Sequence, residues 1–242
     1  VLEQWSRHER RPWLKRGSLR FFEGPLLRRA AAVQFTSDAE QLQAQGLPLP
    51  ARQAVIPLGV RLDGAATQDA PDVASWQDFT AGRPWALYLS RLDRKKGVER
   101  LLAAFAQVRA ALPAARLVIA GDGDRNYVAS LRTHATQLGL DAAVAWVGFV
   151  DGPRKRWLLE HCAAFVLPSS SENFGVAVVE AMAAARPVVV TAGVAVSEIV
   201  ARRDAGLVTD SDPAAIAAAI LATFADPAGA AARGSRGRAA VA

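Results

Sequence analysis

From Trp85 onward, short apolar runs alternate with longer segments whose apolar residues recur at helical spacing. Such runs suit strands that are buried on both faces, and the segments between them suit helices that cover those faces. The predicted strands are residues 85–90, 117–120, 144–147, 164–167, 188–191 and 206–208. The predicted helices are residues 98–112, 127–138, 154–162, 174–185, 196–202 and 213–224. The alternation predicts an α/β fold with a doubly wound parallel sheet, whose ligands bind beyond the carboxyl ends of the strands.

Composition suggests how the rest of the chain is organised. Residues 1–60 hold two short apolar runs and a helix, from Ser37 to Gln45, that Thr36 and Ser37 would cap. Residues 61–83 are a predicted linker or loop, 84–225 the regular domain, and 226–242, rich in Ala, Gly and Arg, a truncated or disordered tail. Because the chain begins at Val1 and its single methionine is Met182, we expect a piece of a longer protein.

The charge of the chain is concentrated near its start. The net charge is +6, and residues 1–29 supply +5 of it through eight Arg or Lys and three Glu. This local excess argues against a nucleic-acid partner. Because aromatic residues lie among these arginines, residues 1–29 predict a peripheral contact with anionic lipid or with an acidic acceptor; the alternative is a helix whose core partners lie elsewhere.

Cysteine content and hydropathy indicate the cellular compartment in which the chain is expected. The lone Cys162 excludes an internal disulfide and a multi-cysteine metal site, which fits a reducing compartment. No apolar run reaches the length of a membrane span. We therefore expect a cytoplasmic location, with peripheral contact at the inner face of the membrane as a further expectation.

Residues 169–191 carry the strongest candidate site. The polar residues 169–173 predict a loop with Asn173 as the N-cap of the next helix, so Glu172 would lie on the loop and Glu180 in the second helical turn. Backbone N–H groups near Phe174 and Gly175 would point out of the helix N-terminus, a position that favours an anion. Two carboxylates beside an anion site suit a ligand with hydroxyls on both sides of a phosphate, such as a nucleotide-sugar.

Two cations follow the first strand of the regular region. Arg91 lies just beyond the strand, and Lys96 precedes Gly97 where the next helix begins. Such a pair suits a diphosphate, to which arginine offers a planar fork and lysine a point charge. Taken alone, the same residues also fit a solvated basic turn.

The remaining strand ends carry weaker signals. Gly121–Asp124 fails as a dinucleotide fingerprint, because Asn126 stands where the third glycine is needed. Its two aspartates could hold a metal in isolation, but a tight turn at Gly121 is the preferred interpretation. Phe149 and Val150 end the third strand, where their backbone could border a nucleobase. The side chains read as structural, rather than catalytic, are His134, His161, Cys162 and Glu198.

Together these segments resemble the C-terminal, donor-binding half of a retaining GT-B glycosyltransferase of group 1, also called family 4. The resemblance rests on the residues 90–97, 120–123, 147–150 and 168–185, which include Glu172 and Glu180 as an E-x7-E motif. Residues 36–40 and 55–60 resemble the stretch that leads out of the N-terminal acceptor domain. The resemblance covers roughly residues 30–225.

The resemblance implies a role for each candidate residue. Arg91 and Lys96 would bind the donor diphosphate, Glu172 the transferred sugar and Glu180 the ribose hydroxyls. The further donor contacts would come from Gly121, Phe149, Val150, Asn173, Phe174 and Gly175. The donor would be a UDP- or GDP-sugar, transferred with retention and without a metal or other cofactor. The acceptor would be a glycan or lipid-linked molecule of cell-envelope or polysaccharide biosynthesis, held by the N-terminal domain.

The resemblance leaves two alternatives open. One is a GT-B-like nucleotide-sugar 2-epimerase, which needs acid–base groups near the sugar; apart from Glu172, few candidates exist here. The other is a nucleotide-sugar binding module without catalysis. In addition, residues 191–195 stand where relatives often have paired glycines, which puts the backbone contact of that segment with the donor in question.

Overall fold

The computed structural model describes residues 17–45, 47, 49–50, 52–56, 58–60 and 71–242. It divides into two compact units, Val1–Gly59 and Val60–Ala242. Residues 1–16 of the predicted lipid- or acceptor-contacting segment and residues 61–70 of the predicted linker lie outside the described residues.

The first unit contains short elements. They are a π-helical turn at Leu19–Glu23, α1 (Gly24–Arg29), β1 (Val33–Phe35), α2 (Asp38–Gln43) and β2 (Gln53–Val55). The two strands pair in parallel. Ser37 caps α2 by accepting a hydrogen bond from the Glu40 N–H at 3.1 Å, and Glu40 reaches back to the Thr36 N–H at 2.7 Å. The predicted cap is confirmed, and these reciprocal bonds satisfy N–H groups that the first turn would leave unpaired.

The second unit alternates strands and helices. Its strands are β3 (Trp85–Leu89), β4 (Arg116–Ala120), β5 (Val144–Gly148), β6 (Ala164–Leu167), β7 (Val188–Thr191) and β8 (Gly206–Thr209). Its helices are α3 (Pro71–Thr80), a 3-10 turn at Arg94–Lys96, α4 (Val98–Ala111), α5 (Arg125–Gln137), α6 (Gly152–His161), α7 (Val176–Ala183), α8 (Ser197–Arg202), α9 (Pro213–Ala225) and α10 (Pro227–Val241).

These strands form one parallel sheet in the order β5-β4-β3-β6-β7-β8. The predicted doubly wound α/β fold is confirmed. The chain runs outward from β3 in one direction and then resumes at β6 in the other, so the strand order reverses between β3 and β6. Loops that leave adjacent strands toward opposite faces open a crevice at that point, at the carboxyl edge of the sheet.

Helices cover both faces of the sheet. On one side α4 packs against α5 and α9, and on the other α7 packs against α6 and α10. Every residue of β3, β6 and β7 is buried, as their continuous apolar runs predict. The sheet is therefore a rigid base on which the loops at its carboxyl edge are held.

The predicted linker is wrong for its second half, because residues 71–80 form α3. Helix α3 buries Val73, Trp76 and Thr80, which share one face of the helix. The Trp76 ring lies 6.2 Å from the Trp157 ring of α6, centroid to centroid. Packing of this face, rather than local propensity, forms the helix.

Of the truncated or disordered tail predicted for residues 226–242, the disorder is wrong, because residues 227–241 form α10. Asp226 caps α10 by accepting a hydrogen bond from the Gly229 N–H at 2.9 Å. A Cβ at Gly234 would lie 2.1 Å from the Ala185 carbonyl oxygen, so the absence of a side chain lets α10 approach the end of α7 closely. Arg236 adds hydrogen bonds to the carboxylate and the carbonyl of Asp204.

Helix α7 begins two residues later than the sequence predicts. Its N-cap is Gly175, at φ +89°, and not Asn173. Phe174 is buried in the core, so the chain must turn sharply after it, and the left-handed conformation that makes the turn favours glycine.

In the described part of the chain, no single helix is long and apolar enough to cross a membrane. Helices α9 and α10 pass that test only as a pair, and they bend by 102° at the break between them.

Candidate functional site

A cavity of about 610 Å³ opens at the carboxyl edge of the sheet, where the strand order reverses. We call it the edge cavity. The loops after β3, β4, β5 and β6 contribute to its wall, as do the first turns of α6 and α7. Its lining residues are Leu89, Ser90, Arg91, Ala120, Gly121, Asp122, Phe149, Val150, Asp151, Lys155, Leu167, Glu172, Gly175, Val176, Ala177 and Glu180.

The edge cavity brings together most of the site residues predicted from the sequence. Seven of them line it: Arg91, Gly121, Phe149, Val150, Glu172, Gly175 and Glu180. Lys96 reaches it through an ion pair with Glu172. Asn173 and Phe174 lie on the same loop but are not among the lining residues, and the Phe174 side chain packs into the core.

Lys96 is a buried cation whose partner is Glu172. Its residue surface is 6% exposed, and its Nζ forms an ion pair with Glu172 Oε2, while the Glu172 side chain is 19% exposed. The 3-10 turn that carries Lys96 is capped by Asp93, which accepts a hydrogen bond from the Lys95 N–H at 3.2 Å. Removing either partner would leave a largely desolvated charge, which is costly. The pair thus keeps a cation and a carboxylate in fixed positions at one wall of the cavity.

The backbone around Lys96 is tied to the loop that carries Glu172. The Lys95 carbonyl accepts three hydrogen bonds: from the Ser170 N–H at 2.8 Å and from the hydroxyls of Ser169 and Ser170, both at 3.0 Å. The two loops leave β3 and β6, the strands on either side of the reversal. These bonds hold the wall of the cavity together across that point.

Glu172 is also held from the segment after β7. Its N–H donates to the Gly193 carbonyl at 2.9 Å, and its own carbonyl accepts from the Ala195 N–H at 3.0 Å. The Thr191 hydroxyl donates to the Ser169 carbonyl at 2.6 Å. Residues 191–195, whose departure from the family pattern was noted above, therefore support the Glu172 backbone on both sides.

Arg91 presents a second cation to the cavity. It is exposed, and its carbonyl accepts a hydrogen bond from the Tyr88 hydroxyl at 3.1 Å. Burial raises the pKa of Tyr88 well above its usual value, so its hydroxyl stays protonated and keeps this donor role. Arg91 is thus an exposed arginine whose backbone carbonyl is held by a hydrogen bond.

The loop after β4 lies against the loop after β3. Gly121 has φ +143°, and a Cβ there would lie 1.9 Å from the Ser90 carbonyl oxygen, so glycine is needed for the close approach of the two loops; no turn is formed at residues 121–124, where a tight turn was predicted. Asp122 accepts from the Gly123 N–H at 2.7 Å, and Asp124 caps α5 by accepting from the Tyr127 N–H at 3.0 Å. Among the described residues, no group of three or more His, Cys, Asp or Glu side chains is arranged to hold a metal ion.

Glu180 lies in the second turn of α7 and pairs with a residue that the sequence analysis missed. Lys155, in the first turns of α6, places its Nζ 2.7 Å from Glu180 Oε1. A signal was present: α6 follows β5, so in a parallel sheet its N-terminus must lie at the same carboxyl edge as the other candidates. The basic residues 154–156 were assigned only to a predicted helix and not to the site.

Two exposed apolar residues, Phe149 and Val176, form an apolar rim of the cavity. The Phe149 side chain is 69% exposed, and Val176 is also exposed, although Val150 between these positions is buried. Behind this rim the backbone N–H groups of the first turn of α7 point away from the helix, which favours negative charge near Gly175. The cavity therefore combines apolar side chains and an anion-favouring helix end with three cations, which are Arg91, Lys96 and Lys155, and with the carboxylates of Asp122, Asp151, Glu172 and Glu180.

His134, His161 and Cys162, which were predicted to be structural, are not among the residues that line the cavity. His161 stacks on Trp157 with ring centroids 4.5 Å apart, and its Nδ1 lies 2.8 Å from the Trp157 carbonyl oxygen. Cys162 is fully buried, and burial raises its pKa to about 12, so it is a thiol and not a thiolate at neutral pH.

Comparison with known proteins decides the family. A family model described as glycosyl transferases group 1 matches residues 77–240, which includes every element that builds the edge cavity. The chain belongs to the group 1 glycosyltransferases. The resemblance to the group 1 glycosyltransferases that was drawn from the sequence motifs is thereby confirmed.

Individual relatives agree with this membership. A phosphatidyl-myo-inositol mannosyltransferase of Mycobacterium leprae is 31% identical over 215 residues, which are 88% of this chain and 51% of that protein. A sucrose-phosphate synthase from Thermosynechococcus elongatus superposes with a TM-score of 0.80 at 29% identity, over all of this chain and 59% of that one. The Anabaena protein HepE, solved in complex with UDP-glucose, superposes with a TM-score of 0.78 at 27% identity, over 92% of this chain and 62% of that one. The chain thus spans about half to three fifths of the length of these three proteins.

Proposed function

We propose that this chain is the donor-binding half of a glycosyltransferase that transfers a sugar from a nucleoside diphosphate sugar with retention of anomeric configuration. The observation that carries the proposal is the edge cavity, where Lys96 and Arg91 converge with Glu172 and Glu180 at the reversal of the strand order. The likeness to HepE, whose solved structure contains UDP-glucose, supports the same choice of donor.

In this proposal the two cations bind the diphosphate and stabilise it as the leaving group. The bond between the anomeric carbon and the diphosphate oxygen breaks, the acceptor oxygen bonds to that carbon, and the acceptor proton passes to the departing diphosphate. Negative charge grows on the diphosphate in the transition state, so fixed cations there lower the barrier. In the enzyme that also contains the proposed acceptor half, loss of either cation is expected to lower kcat by roughly 10²–10³, the typical effect of one such donor.

The carboxylates recognise hydroxyl groups on either side of the diphosphate. Glu172 would accept hydrogen bonds from the transferred sugar, and Glu180 from the ribose. The Phe149 rim and the backbone at Val150 would border the base, and the first turn of α7, after Asn173, Phe174 and Gly175, would face a phosphate or sugar oxygen. The base is that of a UDP- or a GDP-sugar.

The proposed transfer needs no metal. Asp122 and Asp124, the residues that a cation would use, already accept backbone hydrogen bonds that shape the loop after β4. Lys96 and Arg91 supply the positive charge that a divalent ion would otherwise bring to a diphosphate.

The acceptor is proposed to be a glycan or lipid-linked molecule of the cell envelope, and the likeness to a phosphatidyl-myo-inositol mannosyltransferase supports that class. Within the first unit, Phe21, Phe22 and Leu26 are exposed beside Arg20 and two further arginines, a combination that suits the surface of an anionic membrane. Sedimentation of the chain with anionic vesicles but not with neutral ones would support this contact, and a Phe21→Ser/Phe22→Ser variant should sediment less.

Binding without efficient transfer is expected from the 242-residue chain. It spans about half of the mannosyltransferase that it matches, and we propose that the acceptor site lies in the remaining half. With a UDP- or GDP-sugar and a mixed acceptor extract, release of the diphosphate should stay at background. Acceptor-dependent release of the diphosphate by this chain alone would contradict the proposal that the acceptor site lies in the remaining half.

Calorimetric titration with UDP-sugars and GDP-sugars, with and without EDTA, tests the proposal. Binding to one nucleotide class that is unchanged by EDTA and is weakened in Lys96→Ala and Glu180→Ala is the expected result. Binding that requires a divalent cation would move the diphosphate toward Asp122 and Asp124 and overturn the metal-independent account. Failure to bind either class would overturn the donor site.

A further inference from the structure

The ion pair between Lys155 and Glu180 joins two helices across the edge cavity. Lys155 belongs to α6, which follows β5, and Glu180 belongs to α7, which follows β6. Both residues line the cavity, and Lys155 Nζ lies 2.7 Å from Glu180 Oε1. A bond of this length between opposite charges is a strong, charge-assisted hydrogen bond.

The burial of the pair differs from that of an ordinary surface salt bridge. The Glu180 side chain is only 12% exposed and the Lys155 side chain 28% exposed, so solvent screens their attraction less than it would at the surface. A polar group so far withdrawn from water is costly to bury unless a partner hydrogen-bonds it. In the described part of the chain, Lys155 is the residue that pairs with it.

The bond leaves one carboxylate oxygen available. Lys155 engages Oε1, and no described residue pairs with Oε2. A carboxylate held at one oxygen has a fixed orientation for the other, and an ordered acceptor binds a hydroxyl without the entropy loss of becoming ordered.

We propose that Lys155 is a positioning residue for recognition of the donor ribose, which it achieves by holding Glu180 so that Oε2 accepts from the ribose hydroxyls. This inference rests on the proposed function, because it takes Glu180 to be the ribose-binding carboxylate. It adds a residue whose effect depends on the hydroxyls of the ligand and not on its diphosphate.

Two other roles for Lys155 make different predictions. A lysine that bound the diphosphate directly would contribute equally to a ligand with ribose hydroxyls and to one without them. A lysine that only joined α6 to α7 would change the stability of the fold and would affect both ligands alike. Selectivity for the hydroxyls is therefore the readout that separates positioning from both.

The experiment measures the affinity of the full 242-residue chain for four probes: UDP, GDP and their 2′,3′-dideoxy analogues. With whichever diphosphate binds, Lys155→Met should weaken binding by up to about tenfold, because Glu180 must then become ordered when the hydroxyls bind, and should weaken binding of the dideoxy analogue less than about twofold. Lys155→Arg, which keeps a cation, should recover most of the affinity.

Arg156→Gln is the matched control. Arg156 lies beside Lys155 on α6, pairs with Glu160 at 2.6 Å and has a similarly exposed side chain, but it does not line the cavity. It should leave both affinities unchanged. Glu180→Gln combined with Lys155→Met should lose little more than Glu180→Gln alone, because the lysine acts through that carboxylate.

Each contrary outcome is specific. Equal losses for a diphosphate and its dideoxy analogue in Lys155→Met would overturn the positioning role, as would no loss for either. Wild-type chain that binds the dideoxy analogue as tightly as the ribose form would overturn ribose recognition by Glu180. Failure of the wild-type chain to bind UDP or GDP would instead overturn the proposed function on which this inference rests.

Discussion

Lys96 and Glu172 are coupled at the level of single residues, because they form an ion pair. Both side chains are largely buried, so loss of one leaves an unpaired charge in a poorly solvated position. Lys96→Met and Glu172→Gln should each destabilise the fold by about 1–3 kcal/mol, and the double variant by clearly less than their sum. Urea denaturation of the four proteins measures this coupling. Strictly additive losses would show that the two side chains do not interact in solution.

Cys162 makes the stability of the protein sensitive to alkaline pH. Burial raises its pKa from 9.0 to about 12, so its contribution to stability is fully present below pH 9 and is lost as the pH rises toward 12. Between pH 9 and 11 the wild type should lose up to about 1.4 kcal/mol per pH unit more than Cys162→Ala does. Free energies of unfolding across this range test the difference, and parallel curves for the two proteins would refute it.

The pairing of residues in the site was only partly predictable from the sequence. Arg91, Lys96, Glu172 and Glu180 could be selected because each follows a predicted strand, and parallel strands bring such positions to one edge. Which cation meets which carboxylate depends on loop geometry and on helix orientation, and neither is encoded in the spacing. Lys155 was missed for this reason, since its partner lies 25 residues away on another helix.

At the level of elements, apolar runs identified the strands and packing decided the helices that were missed. Strands β6 and β7 have the predicted bounds. Each is a run of four apolar residues that are all buried, as is typical of a central strand in a parallel sheet. Helix α3 was not predicted, because it is stabilised by the packing of Trp76 against Trp157, a tertiary contact that the local sequence does not show. Helix α10 was not predicted, because its glycines suggest a flexible tail. At Gly234, however, the absence of a side chain permits close packing.

The close approach of α10 to the end of α7 gives a test at this scale. Gly234→Ala adds a Cβ 2.1 Å from the Ala185 carbonyl oxygen, and a backbone atom cannot move aside cheaply. Overpacking of this kind costs about 1–3 kcal/mol, which outweighs the gain of up to about 1 kcal/mol in helix propensity. Thermal unfolding should therefore show a lower Tm. Ser235→Ala, at an exposed position of the same helix, is the control and should change little; a stabilised Gly234→Ala would contradict the packing of α10.

At the level of the whole molecule, the strand order places the site. Reversal between β3 and β6 makes the loops after these two strands diverge, and the hydrogen bonds from residues 169–170 to Lys95 span the resulting gap. Residues separated by more than 70 positions in the chain thereby line one cavity. The fold class follows from the pattern of the sequence, whereas the shape of the cavity depends on the left-handed turn at Gly175 and on the support of residues 191–195.

Hydrogen exchange of the chain with and without its preferred nucleotide-sugar tests the central claim most directly. If the donor binds in the edge cavity, backbone amides in residues 90–97, 147–152 and 169–180 should become protected together, while those of β1 and β2 should keep their exchange rates. Protection that is absent from these three segments although binding is saturated would contradict the assignment of the edge cavity as the donor site.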